Sequence, residues 1–161
     1  MPAPSTFLLF CTAALALIVV PGPAVLYVVA QSIDQGRRAG VVSALGIAGG
    51  GLVHVVAVTV GLSALLVRSA TLFEAVKLAG AAYLIYLGVR RLVTKETAEF
   101  VEREPRPLKV LFRRGVVVNV LNPKTALFFF AFLPQFVDTD AGAAWLQILI
   151  FGLTFVLLAL A

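Results

Sequence analysis

Phe7–Ala30 runs for 24 residues without an Asp, Glu, Lys or Arg, and Ala39–Val67 for 29 with His54 as its one ionisable group. Leu72–Val89 carries Glu74 and Lys77 near its start, Gly115–Val137 is interrupted by Lys124 alone, and Trp145–Ala161 covers 17 residues. A helix needs about 20 apolar residues to cross a hydrocarbon layer of roughly 30 Å. The five runs therefore predict an all-α fold, a polytopic bundle of transmembrane helices forming one domain over 1–161. They hold 111 of the 161 residues, which leaves no room for a separate soluble domain. Backbone in lipid must satisfy its own hydrogen bonds, and no run alternates with period two, so barrel strands do not fit. Composition agrees, with 61% of residues hydrophobic and 13% charged where soluble domains have about half and a quarter.

The first run contains Ala14-Leu15-Ala16, which resembles a signal cleavage site. No Lys or Arg precedes it and the apolar stretch continues well beyond, so it is expected to remain as a span. The single cysteine, Cys11, has no intramolecular partner and says nothing of compartment. The charge is more informative. Arg37 and Arg38 lie between the first two runs, and residues 90–114 hold eight Lys or Arg against four Glu. Only Arg68 and Lys77 flank the second connection, while the fourth holds Asp138 and Asp140 without a cation. This asymmetry predicts a cytoplasmic 90–114 loop, a cytoplasmic Arg37–Arg38 turn and an outside N-terminus in a bacterial inner membrane. The net charge of +5 then belongs to the inner membrane face, and no nucleic-acid partner is expected. The short QSIDQGRR connection makes the first two spans antiparallel neighbours. KETAEFVEREPRP, within 90–114, reads as a solvated connector.

Two spans are broken. The first contains Val20-Pro21-Gly22-Pro23 and the fourth Asn122-Pro123-Lys124. Proline removes a helical N–H and clashes with the carbonyl four residues earlier. Pro21 and Pro23 thus release the carbonyls of Leu17 and Val19, and Pro123 releases that of Asn119. With Ala30 and Gly115 as cytoplasmic ends, both breaks lie roughly 12–14 Å below the inner surface. Paired Gly/Pro-interrupted spans at matching depth point to a transporter's binding site. Pro23 and Pro123 suit a first helical position and Asn122 an N-cap, so each break opens a new helix N-terminus that favours an anion. Lys124 adds a full positive charge, while the freed carbonyls and Asn119 suit an ammonium group. The expected ligand is a small zwitterion held by Pro21, Gly22, Pro23, Asn119, Asn122, Pro123 and Lys124. The competing reading is that the prolines merely kink their helices while Lys124 snorkels or pairs with Asp34.

PGPAVLYVVAQSIDQGRRAGVVSALG, KLAGAAYLIYLG and FRRGVVVNVLNPKTALFFFAFLPQF together resemble the lysine exporter family of amino-acid efflux proteins (LysE/RhtB type), from about Thr6 to Val137. The matching positions are Pro21, Gly22, Pro23, Gly36, Arg37, Gly40, Gly46, Lys77, Gly80, Tyr83, Leu84, Gly88, Gly115, Asn119, Asn122, Pro123, Lys124, Pro134 and Phe136. The resemblance implies export of an amino acid or close analogue from the bacterial cytoplasm, driven by proton antiport. It also implies six spans in two inverted halves of three. This sequence stops in the fifth, which leads to the expectation of a chain truncated before a sixth helix.

Other residues carry weaker signals. Gly46, Gly50, His54, Ala57 and Gly61 fall on one face of the second span and suit close helix approach. His54 on that face is a candidate for proton coupling or a packing histidine, and Asp34 a second candidate or a loop cap. Glu74 and Lys77 can pair three residues apart, and Tyr83 and Tyr86 share a helix face. No nucleotide-binding loop and no Ser/His/Asp arrangement appears, so neither an enzyme nor an ATP-driven pump is expected, and no cofactor. One Cys, one His and one Met make metal-ion export a lesser alternative, beside a non-transporting membrane subunit. The expected partners are a small-molecule substrate and the lipid bilayer; a homo-oligomer stays open.

Overall fold

The computed structural model describes residues 3–68, 78 and 106–161, without the side chains of 62–68. Within these residues the structure is all-helical. Helix α1 spans Pro4–Val19 and α2 Pro23–Arg68; α3 spans Leu108–Val120, α4 Pro123–Leu127 and α5 Ala144–Leu160. A π-helical turn at Phe128–Phe132 and a 3₁₀ turn at Leu133–Phe136 continue α4. Pro134, whose ring denies the Phe130 carbonyl its helical donor, lies where that regularity is lost. Apart from Leu78, the predicted span 72–89, with Glu74, Lys77, Tyr83 and Tyr86, and residues 90–105 of the predicted loop lie outside the described residues.

Helix α1 starts on Pro4, where a missing N–H costs nothing, and stops at Val19 because Val20, next to Pro21, is extended (φ −67°, ψ 115°). Helix α2 differs from the expectation of a loop over 31–38. Those residues stay helical except Gly36, at φ 79° and ψ 179°. That left-handed angle, cheap for glycine alone, turns the chain back on itself. A Cβ on Gly40 would lie 3.1 Å from the Cβ of Ser32, whereas eight residues of straight helix would separate them by about 12 Å. The two limbs of α2 are thus antiparallel, as expected, but joined by one residue.

The fourth span differs too. Its helix begins at Leu108, seven residues before the expected Gly115, and Arg106 N donates to Gln35 Oε1 at 2.8 Å beside the Gly36 turn. Helix α3 and the segment Pro123–Phe136 then meet at 50°.

Glycines set the closest crossing. A Cβ on Gly46 would run into Phe112 O, and one on Gly115 would meet Ser43 O at 2.8 Å. Such contact replaces the hydrophobic effect as the source of helix association in lipid. The small-residue stripe of α2 is buried through Gly46, Gly50 and His54 but exposed at Ala57 and Gly61, because α3 ends at Val120 and the chain bends away. On the opposite side of the breaks, Phe10, Phe128, Phe129, Phe151 and Phe155 build an aromatic core between α1, the π turn and α5. Phe128 stacks on Phe155 at 4.1 Å and Phe10 tilts onto Phe151 at 4.6 Å.

Candidate functional site

Both breaks leave carbonyls without helical donors, and the structure supplies donors from elsewhere in the chain. Lys124 reaches from α4 to the first break, where Nζ donates to the carbonyls of Leu17 and Val20, each at 2.5 Å. Leu17 is the residue whose helical partner Pro21 removes. The aliphatic stem of Lys124 lies over Gly22, where a Cβ would come within 3.2 Å of Cδ. The two interruptions are therefore in direct contact, through the cation that the sequence places beside the second.

At the second break the Asn119 carbonyl, released by Pro123, accepts from His54 Nε2 at 3.1 Å and from Asn122 N at 3.1 Å. A carbonyl cannot donate, so the proton of His54 sits on Nε2. The imidazole is buried and stacks on Phe129 at 5.7 Å. Asn119 itself is 5% exposed: Nδ2 donates to Ile47 O at 2.7 Å and Oδ1 accepts from Thr125 Oγ1 at 2.8 Å. Asn122, 3% exposed, caps α4 by accepting from Lys124 N at 3.1 Å. Each buried group left unpaired would cost about 1–3 kcal/mol, so these bonds hold the break in one shape.

A cavity of about 270 Å³ opens beside this network. Gly22, Asn119, Asn122, Lys124 and Thr125 supply its polar side, and Leu17, Ile18, Val25, Val28, Ile47, Phe155 and Val156 much of its apolar wall. Among the described residues Lys124 is its one charged group. The volume falls just below the range of about 300–1,000 Å³ for drug-sized ligands, which suits a small metabolite.

Of the residues singled out from sequence, Gly22, Asn119, Asn122 and Lys124 line this cavity. Pro21, Pro23 and Pro123 are exposed on the breaks they create. His54 stands behind the site, touching it through Asn119. Asp34 is apart, exposed near the Gly36 turn and roughly 18 Å along the helix from Gly22. Thr125 and Ile47 were not anticipated. Thr125 is six residues from Asn119, a spacing that shares no helix face and becomes a contact only because Pro123 bends the chain. Gln147, also buried, closes the 138–143 connection by donating from Nε2 to Asp138 O at 2.7 Å and accepting from Asp138 N at 3.1 Å. Among the described residues no three of His, Cys, Asp and Glu gather in one place.

Residues 15–161 match the family profile described as LysE type translocator. The chain belongs to that family. It is 37% identical over 139 residues to a homoserine/homoserine lactone efflux protein of Salmonella typhimurium, covering 83% of this chain and 65% of that one. A leucine efflux protein of the same organism is 30% identical over 134 residues, 82% of this chain and 63% of the relative. An uncharacterized membrane protein, YrhP, of Bacillus subtilis is 32% identical over 136 residues, 78% and 65% of the two chains. The LysE-type chain thus spans 63–65% of the length of these relatives. No solved structure gives a significant match. Membership makes this helical bundle a bacterial multipass membrane protein.

Proposed function

We propose that this LysE-type chain exports a neutral amino acid from the bacterial cytoplasm, with the substrate's carboxylate held by Lys124 where the two broken helices meet. The observation that carries this reading is the Lys124 ammonium beside a cavity of about 270 Å³ whose remaining wall is mainly apolar. A charge inside the membrane is costly enough to mark a substrate or ion path. The amino-acid efflux names of two relatives support the substrate class. An apolar wall with no Asp or Glu among the described lining residues favours an aliphatic or small polar side chain over a cationic one.

The reading includes proton antiport across the inner membrane, with the N-terminus outside and Arg37 and Arg38 in the cytoplasm. His54 is the candidate for coupling, since a second proton on its ring would place charge one hydrogen bond from the Asn119 carbonyl at the break. Asp34, on the proposed cytoplasmic turn, is the other candidate.

Efflux from cells preloaded with a panel of amino acids tests the assignment. Leucine or homoserine is expected to leave faster with the chain present than without it, and lysine is not. Lys124→Met is expected to return efflux to background with the amount of protein in the membrane unchanged. Undiminished efflux in that variant would remove the assignment.

A further inference from the structure

The Lys124 ammonium is bound in a place made for an ammonium group. Pro21 removes the donor that the Leu17 carbonyl would have in a continuous helix, and Val20 leaves the helical conformation just before it. The two carbonyls converge on one Nζ, and Leu17 also lines the cavity together with Lys124 and Gly22. Gly22 leaves the space through which the lysine stem passes, since a Cβ there would already be 3.2 Å from Cδ.

Resting on the function proposed above, we infer that the Leu17 and Val20 carbonyls are the site of the substrate's α-ammonium group, and that Lys124 occupies it while the protein is empty. Binding is then an exchange. The arriving carboxylate draws the Lys124 ammonium off the carbonyls, and the α-ammonium of the same molecule takes its place. Charge in the site stays at one net positive in both states, because the substrate is a zwitterion. The carbonyls hold a cation in both states, so neither state carries the penalty of a bare carbonyl in an apolar surround.

The exchange makes the site demand both ends of an amino acid. An amine without a carboxylate gives Lys124 nowhere to go and must compete with a tethered cation. A carboxylate without an amine would pull the lysine away and leave two carbonyls unmet. Each fragment is penalised by a different half of the same swap. Because Lys124 ties α1 to the start of α4 by hydrogen bonds, the swap also replaces a link made by the chain's own side chain with one through a ligand that leaves.

The test is equilibrium binding to the purified chain in detergent, with leucine, 3-methylbutylamine and 4-methylpentanoate as probes. The unsubstituted chain should bind leucine at least tenfold more tightly than either fragment. Lys124→Met should lose leucine affinity by tenfold or more and gain affinity for 3-methylbutylamine by a similar factor, since the carbonyls are then open to a free amine. Loss of leucine without gain of the amine would overturn the exchange while leaving Lys124 as the carboxylate site. No leucine binding to the unsubstituted chain would overturn both. If Lys124→Met does not fold, the fragments decide alone: either one binding the unsubstituted chain as tightly as leucine would overturn the exchange.

Discussion

The Asn119 carbonyl has lost its helical donor to Pro123 and accepts a hydrogen bond from His54 Nε2 at 3.1 Å, while the Asn119 side chain bonds Ile47 and Thr125. This small network lets a helix stop and restart inside an apolar bundle without bare polar groups. His54→Ala is therefore expected to lower unfolding stability by about 1–3 kcal/mol, read from the denaturation midpoint in detergent. His54→Gln, which keeps an N–H donor, should lose less; equal and negligible losses would contradict the role given to this bond. The breaks themselves were legible in sequence, because a missing proline N–H is a local property and PGP and NPK each announce one. Their partners were not. Lys124 and Leu17 stand 107 positions apart, and nothing in the run of residues says which carbonyl a lysine will reach. Asp34 entered the competing reading as a partner for Lys124, and the helix running on from Pro23 to the Gly36 turn places it roughly 18 Å from Gly22.

At the scale of elements, the polar stretch QSIDQGRR read as a loop because charge marked it, yet Gln, Ser and Asp are tolerated in helix and only Gly36 departs from helical angles. Charge reported where the chain meets water, and the backbone turned at a single glycine. The small-residue face of α2 was legible by its period, but its useful length was not, since that depends on where α3 ends. A side chain at Gly115 would press on the backbone of Ser43 and Gly46, whereas one at Gly61 meets nothing within 4 Å among the described residues. Gly115→Val is expected to cost about 1–3 kcal/mol or more through overpacking, with a lower thermal midpoint and less folded protein recovered from membranes. An unchanged thermal midpoint in Gly115→Val would contradict the glycine crossing.

For the whole molecule, the two limbs of α2, the bent α3–α4 pair and α1 with α5 bring both interruptions together. Gly36 lies 15 residues from Pro21, and Leu108 lies 15 from Pro123, so the extra helix at each end keeps the breaks level at roughly 22 Å from those ends. The proposed orientation is checked in a Cys11→Ser background. A thiol reagent that cannot cross membranes should label Asp140→Cys on intact spheroplasts and spare Arg38→Cys; the opposite pattern would invert the topology. The meeting of the breaks admits a still more direct measurement. In the same background, Gly22→Cys with Lys124→Cys is expected to be joined within one chain by a bifunctional thiol reagent spanning only a few ångströms, seen by mass spectrometry of a digest. Failure to join them, with each cysteine reactive on its own, would contradict the contact between the two broken helices.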